Sequence, residues 1–212
     1  MLDLFDDRGS QRILADGATL LRGLALPHET ELLNAIEDVT KVSPFRNMVT
    51  PGGFTMSVAM SNCGAAGWVT DRKGYRYSAI DPETGNPWPS MPEVFRALAA
   101  EAASRAGYPA FLPDACLINR YEPGARMTLH QDKNERDYAE PVVSVSLGLP
   151  AVFLFGGDER SARPAKVPLE HGDAVVWGGP SRLRFHGVNP LADGLHPLVG
   201  RRRINLTFRR AL

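Results

Sequence analysis

Cysteine is scarce. The 212 residues hold two, Cys63 and Cys116, far apart and in no CxxC pair. A disulfide-framed scaffold is thereby excluded, and two free thiols in a reducing compartment are expected rather than one bridge. Net charge is lacking too: 24 basic and 24 acidic residues cancel. Bulk charge thus argues neither for nor against a polyanionic partner, and any attraction to phosphate must come from a local patch. No apolar run approaches a membrane span, and the N-terminal MLDLFDDRGS lacks the apolar stretch of a signal peptide. The expected location is the cytoplasm, with no membrane partner. There is no internal repeat, no low-complexity linker and no paired-carboxylate motif for acid–base work. What remains, 43% hydrophobic and 23% charged, is the composition of one ordinary globular domain with a real core.

The front half carries two helical patterns. Leu32, Leu33, Ile36 and Val39 fall on one face of a helix over 29–41. A second helix is expected over 91–106, with Ser90 and Glu93 as a capping box, Pro92 in the first turn, Gly107 as the stop and Pro109 beyond. Val94, Phe95, Leu98, Ala102 and Ala106 would face the core. Between the helices, residues 43–89 are rich in Gly, Pro and aromatics, with a PGG turn at 51–53, and read as short strands and loops. After residue 110 strands dominate: 115–121, closed by the Glu122-Pro123-Gly124 turn, then 142–147, 152–155, 174–177 and 203–209. Many short strands at short intervals predict a sandwich or barrel of the jelly-roll kind, with the helices covering one face.

His130 and Asp132 are two residues apart. On a strand such residues share a face, so one strand could present an imidazole and a carboxylate to one ion. A third ligand must come from elsewhere, and His186 is available in the turn-rich Arg184-Phe185-His186-Gly187. Two histidines and a carboxylate on one face of an octahedron leave three positions open, the arrangement of non-haem Fe(II) oxygenases. A 2-oxo acid would fill two of them and O₂ the third. His-x-Asp is a weak motif, however, and His171-Gly172-Asp173 is a rival that also reads as a plain turn with Asp173 bonding nearby backbone. His28 and His196 look like surface or loop residues.

The run 203–209 alternates strictly. Ile204, Leu206 and Phe208 share one face, and Arg203, Asn205, Thr207 and Arg209 the other. This could be an amphipathic strand with its polar face in water. The usual reading of such a strand is the first; the functional alternative is a polar barrel interior in which two guanidiniums grip a dicarboxylate, since the planar fork of arginine matches a carboxylate and keeps its charge when buried. Asn119 and Tyr121, also two apart on a strand, could hydrogen-bond the same oxo acid.

The segments PGGFTMSVAMSNCG (51–64), NRYEPGARMTLHQDKNE (119–135), PVVSVSLGLPAVFLFGG (141–157), LEHGDAVVWGGPSRLRFHGV (169–188) and RINLTFR (203–209) together resemble the AlkB-type DNA repair dioxygenases, in order and almost without gaps. The resemblance implies a double-stranded β-helix with N-terminal helical support. It implies one domain over 1–212, with a nucleotide-recognition lid at about 45–90 and a catalytic core at about 111–212. The implied cofactors are Fe(II), 2-oxoglutarate and O₂. The implied reaction is oxidative demethylation of 1-methyladenine and 3-methylcytosine in DNA, chiefly single-stranded, releasing formaldehyde, succinate and CO₂.

Carried over residue by residue, His130, Asp132 and His186 match the iron ligands, and His171-Gly172-Asp173 a structural turn. Asn119, Tyr121, Arg203, Asn205 and Arg209 match oxoglutarate contacts, with Arg203 at the distal carboxylate and Arg209 nearer the chelating end. Trp68 matches a residue that packs on the flipped base opposite the His130 ring. Tyr75, Arg76, Tyr77 and Arg160 match backbone or substrate contacts. One position departs: many bacterial members have Asp where this chain has Asn134, which accepts through its carbonyl but brings no charge and also presents donors. The same chemistry on RNA, a protein side chain or a small molecule is the alternative reading. A non-enzymatic barrel and a cupin-like enzyme with another metal are further ones. The expected assembly is a monomer.

Overall fold

A computed structural model describes residues 9–212, so the leader-free reading of the N-terminus falls largely outside the described residues. In chain order, β1 (Gln11–Ala15) and β2 (Ala18–Leu21) precede α1 (Glu29–Val42). Next come β3 (Arg46–Val49), β4 (Thr55–Gly64), β5 (Gly67–Asp71) and β6 (Gly74–Ser78), then α2 (Glu93–Arg105). The second half is β7 (Ala115–Tyr121), β8 (Met127–His130), β9 (Val142–Gly148), β10 (Ala151–Phe155), β11 (Ala165–Leu169), β12 (Ala174–Trp177), β13 (His186–Val188) and β14 (Arg203–Arg209). Eight strands pair in the order β1-β2-β12-β9-β14-β7-β4-β3. Four more pair as β11-β10-β13-β8, and β5 with β6 forms a separate hairpin. This is the jelly-roll expected from the strand spacing.

Side-chain alternation sorts the large sheet into two faces. Cys116 and Ile118 of β7, Val143, Val145 and Leu147 of β9, Ala174 and Val176 of β12, and Ile204, Leu206 and Phe208 of β14 form one apolar core. It also contains Leu32, Ile36 and Val39 of α1 and Phe95, Leu98, Ala99, Ala102 and Ala103 of α2. The helices thus cover the outer face of the large sheet, and Phe95 meets Phe208 edge to face at 5.9 Å. A second core, with Leu117, Phe153, Phe155, Val175 and Trp177, fills the space between the two sheets. The thiols of Cys63 and Cys116 are free, buried and opposite one another across β4 and β7.

The capping box is corrected by the structure. The N-cap of α2 is Pro92, in extended geometry and without a side-chain cap bond. Pro92 itself has an extended ψ of 147°, so the helix begins after it. Ser90 then lies too early to cap, and Glu93 pairs with Arg96 instead. Gly107 does end the helix, at φ +93°. The unforeseen strands are short or weakly patterned. β13 has three residues including a glycine, and β11 contains Pro168, which is tolerated because that strand lies at a sheet edge.

Candidate active site between the sheets

The inner face of three neighbouring strands is polar. β14 sits between β9 and β7, with Asn205 opposite both Asn119 and Ser146, and Arg203 opposite Tyr121. All seven residues of β14 are buried, so its polar side faces the sheet interior, not water. A cavity there is lined by Asn119, Tyr121, Arg203, Asn205 and Arg209 from this wall, and by His130 and His186 from the small sheet.

The small sheet supplies the metal-binding pattern. β13 pairs with β8 so that His186 stands opposite His130. Gly187 permits this, since a Cβ there would lie 2.7 Å from the Met127 carbonyl oxygen. His186 therefore begins a strand, where a turn was expected. Asp132 is also corrected: β8 ends at His130, and Asp132 lies in the segment beyond it. Its carboxylate reaches both imidazoles, with Oδ1 3.8 Å from His130 Nε2 and Oδ2 3.7 Å from His186 Nε2. The Nδ1 atoms of His130 and His186 lie 2.8 and 3.0 Å from the carbonyls of Thr128 and Arg184. A carbonyl only accepts, so each Nδ1–H donates and each Nε2 keeps its lone pair for a metal. Among the described residues this is the one group of three such donors close enough to share an ion. The donor set of two imidazoles and one carboxylate suits Fe(II).

The electrostatics keep the donors in their binding forms. Burial alone would raise the Asp132 carboxyl, but Arg209 and the two imidazoles outweigh it and hold the group well below the usual carboxylate range. Burial, with His130 nearby, pushes His186 down to about 4, so it is neutral at physiological pH. Arg209 donates from Nε and Nη2 to Asp132 Oδ2, at 2.8 and 2.7 Å. Burial works against the Arg209 charge, but Asp132, Tyr77 and Glu135 more than offset it.

Arg203 differs. It is 1% exposed. Its Nη2 donates to Ser146 Oγ at 2.8 Å, and its guanidinium lies over the Tyr121 ring at 5.0 Å. Nε and Nη1 are buried without a hydrogen-bond partner, as is Asn119 Oδ1. No carboxylate pairs with Arg203 among the described residues. A buried, uncompensated guanidinium is costly unless an anion joins it. The cavity thus offers a cationic end at Arg203 and a metal-binding end at His130, Asp132 and His186, which fits a dicarboxylate held across the two.

Outside the cavity stands an aromatic wall. In the β5–β6 hairpin Trp68 is opposite Tyr77, and Trp68 stacks on Tyr75 at 5.6 Å. This face meets the segment just after Asp132. Trp68 Nε1 donates to Asn134 Oδ1 at 3.1 Å, and the Tyr77 hydroxyl to Glu135 Oε1 at 2.7 Å. Arg76 lies opposite Val69, away from that face, bidentate to Asp71. Arg160 sits in an exposed turn. The structure thus brings Trp68, Tyr75, Tyr77 and Asn134 together, and leaves Arg76 and Arg160 apart from them.

Two residues escaped the sequence reading. Glu135 is buried between Arg182, 3.2 Å away, and Arg209, at 3.5 Å. Arg182 also donates to the Asp132 carbonyl at 2.8 Å. A buried carboxylate three residues beyond a metal ligand has no sequence signature; only the fold brings its arginines to it.

Comparison with known proteins decides the family. The sequence model of the 2OG-Fe(II) oxygenase superfamily matches residues 17–209. The chain is 59% identical over 212 residues to the alpha-ketoglutarate-dependent dioxygenase AlkB of Escherichia coli (strain K12), covering 100% of this chain and 98% of that one. This chain belongs to the AlkB-type 2OG-Fe(II) oxygenases. It is an iron- and 2-oxoglutarate-dependent dioxygenase. The nucleic acid dioxygenase ALKBH1 of Homo sapiens is 31% identical over 134 residues, 60% of this chain and 34% of that protein. The solved structure of OsALKBH1 superposes with a TM-score of 0.81 at 30% identity, over 94% of this chain and 99% of that one. For this dioxygenase the rival His-x-Asp pair is structural. Asp173 accepts from the Glu170 and Gly23 amides and pairs with Arg22, while His171 Nδ1 accepts from the Gly148 amide.

Proposed function

We propose that this dioxygenase removes methyl groups from N-alkylated bases in DNA, preferentially in single strands, with His130, Asp132 and His186 holding the iron. The observation that carries the reading is the attachment of the aromatic wall to the metal-ligand segment: Trp68 bonds Asn134, two residues beyond Asp132, and Tyr77 bonds Glu135. Bound Fe(II), with 2-oxoglutarate and O₂, supplies the oxidation of a methyl C–H bond, after which the hydroxymethyl group leaves as formaldehyde. The protein's own groups do the rest. Arg203, Asn119, Tyr121 and Asn205 orient the cosubstrate, and Arg209 holds the Asp132 carboxylate. Residues about 45–90 act as the lid and 111–212 as the catalytic core of one domain.

The target methyl lies on the pairing edge of a base, so the base must leave its stack at a cost of a few kcal/mol, least in a single strand. Stacking on an aromatic such as Trp68 returns roughly 1–3 kcal/mol. Trp68 is held ready for that role, because the Asn62 amide bonds its backbone N–H and C=O at 3.0 and 3.1 Å. Among the described residues no helix is long and apolar enough to cross a membrane. The test incubates the protein with Fe(II), ascorbate and 2-oxoglutarate on single-stranded DNA or RNA carrying 1-methyladenine or 3-methylcytosine, with repair and succinate followed by mass spectrometry. Repair of DNA dependent on both iron and oxoglutarate is expected. Succinate formed without repair of any of these strands would overturn the substrate, not the chemistry.

A further inference from the structure

Of the three donors proposed to hold the iron, Asp132 alone lies outside a strand. Backbone pairing of β8 with β13 stops at His130 and His186, and Asp132 follows two residues beyond that last pair. Arg209 holds its carboxylate. The backbone that carries the carboxylate needs a hold of its own, and two side chains supply it by crossing between the segments. Gln131 Nε2 donates to the Leu183 carbonyl at 2.6 Å. In return, Arg182 Nη1 donates to the Asp132 carbonyl at 2.8 Å. A carbonyl only accepts, so both directions are fixed. The residue before Asp132 grips the residue after Arg182, and Arg182 grips Asp132. This crossed clamp begins where the strand ladder ends.

Arg182 is fully committed to the segment it holds. It is 3% exposed, and each of its three guanidinium nitrogens has a protein partner. Nε donates to the Glu140 carbonyl at 2.9 Å, Nη1 to that of Asp132, and Nη2 pairs with the Glu135 carboxylate at 3.2 Å. The guanidinium lies over the Tyr138 ring at 5.4 Å, and the Tyr138 hydroxyl donates to the Lys133 carbonyl at 2.9 Å. One planar fork thus ties both ends and the middle of residues 132–140, and an aromatic ring covers it. The single ammonium of a lysine could not span those directions. Arg182 is also fixed at its base. It closes a 3₁₀ turn over Gly179–Ser181, and the Ser181 hydroxyl donates to the Asp16 carbonyl at 2.6 Å. The chain then runs straight on to His186. One anchored turn therefore serves His186 through the backbone and Asp132 through a side chain.

We propose that Arg182, with Gln131 as its counterpart, is a positioning residue for the metal. The crossed clamp, not the strand ladder, sets where the Asp132 segment stands against the His186 segment. The inference is independent of the substrate and rests on the assignment of His130, Asp132 and His186 as ligands.

The test reads the metal without turnover. Affinity for Mn(II) is measured by competition with a chromogenic chelator. Co(II)-loaded protein is then examined by visible absorption, because its d–d bands respond to ligand geometry. Gln131→Leu removes half of the clamp without stranding a buried charge. It should leave Tm nearly unchanged, weaken Mn(II) binding about tenfold and shift the Co(II) bands. Arg182→Lys keeps a charge beside Glu135 but loses the fork, and should weaken Mn(II) binding at least as much. Wild-type affinity and bands in Gln131→Leu would overturn the clamp, whether or not Arg182→Lys folds. A lowered Tm with wild-type Co(II) bands in both variants would also overturn it, since a merely structural contact behaves that way. Undiminished Mn(II) affinity in His130→Ala would instead overturn the ligand assignment, and this inference with it.

Discussion

Replacing Arg203 with methionine should make the protein more stable and less able to hold its cosubstrate. The wild-type guanidinium is buried, with two nitrogens unpartnered and no carboxylate beside it among the described residues. Ser146 and the Tyr121 ring compensate it only partly, and burial pushes the Arg203 pKa down. Replacing even a paired buried charge together with its partner by apolar side chains of similar volume is often neutral or stabilising by about 1–4 kcal/mol, and a buried guanidinium with no carboxylate partner is expected to fall at the stabilising end of that range. In a domain of this size each kcal/mol moves Tm by roughly 2–4 °C, so a rise of several degrees is expected without ligands. With Mn(II) and 2-oxoglutarate at a hundred times its Kd, the wild type should gain about 2.7 kcal/mol, and Arg203→Met little or none. Differential scanning fluorimetry of both proteins, with metal alone and with metal plus 2-oxoglutarate, reads both effects. A lower Tm in metal-only Arg203→Met would show that the charge is already compensated. An undiminished oxoglutarate shift would remove Arg203 from the cosubstrate site.

Other perturbations probe the metal end. His130→Ala should abolish turnover by deleting a ligand, and full retained activity would sink the assignment. Gly187→Ala places a Cβ 2.7 Å from the Met127 carbonyl, so β13 must shift and carry His186 away from His130; metal affinity measured by competition with a chromogenic chelator should fall by about tenfold or more. Glu135→Gln removes the counter-charge shared by two buried arginines. It should destabilise the fold by roughly 3–5 kcal/mol in urea melts and weaken metal binding by about 10–100-fold, as loss of support around a ligand does; unchanged metal affinity would confine Glu135 to a structural role. His186, with its folded pKa lowered to about 4, resists a proton that the unfolded chain accepts near 6.5. Its contribution is therefore full above pH 6.5 and is lost as pH falls toward 4, roughly 3 kcal/mol at about 1.36 kcal/mol per pH unit. Denaturant melts of metal-free protein across that window should show the slope, and His186→Ala should flatten it.

The strands and helices that were legible in the sequence are those whose face is decided by burial. β14 alternates apolar and polar because one face packs on the helices and the other lines the cavity. Its bounds, like those of β7 and β12, follow the residue pattern, whereas β8 and β13 are too short to show a period. The period also left one matter open. Alternation says that Arg203 and Arg209 share a face but not whether that face meets water, because a solvated stripe and a polar interior have the same spacing. The second sheet decides it, and no residue of β14 carries information about that sheet.

The same limit explains why the two arginines, equivalent in the sequence, have different duties in the fold. Both were expected to grip a dicarboxylate. Arg209 lines the same cavity and also reaches Asp132 and Glu135, so its charge is shared with protein carboxylates near the metal donors. Arg203 lies six residues back along the same strand, beyond the reach of any such group, and its charge remains available to an anion entering the cavity. One strand thus spans from the support of the metal to the far end of the cosubstrate site, and its alternation keeps Asn205 and Thr207 between them on the same face. The distance from metal to anion is then set by strand rise, about 3.4 Å per residue, rather than by loop conformation. A rigid spacing of this kind favours one chain length of dicarboxylate. Shorter diacids such as malonate should fail to shift Tm in the metal-loaded protein where 2-oxoglutarate succeeds, and a malonate shift of equal size would show that the spacing is not the selector.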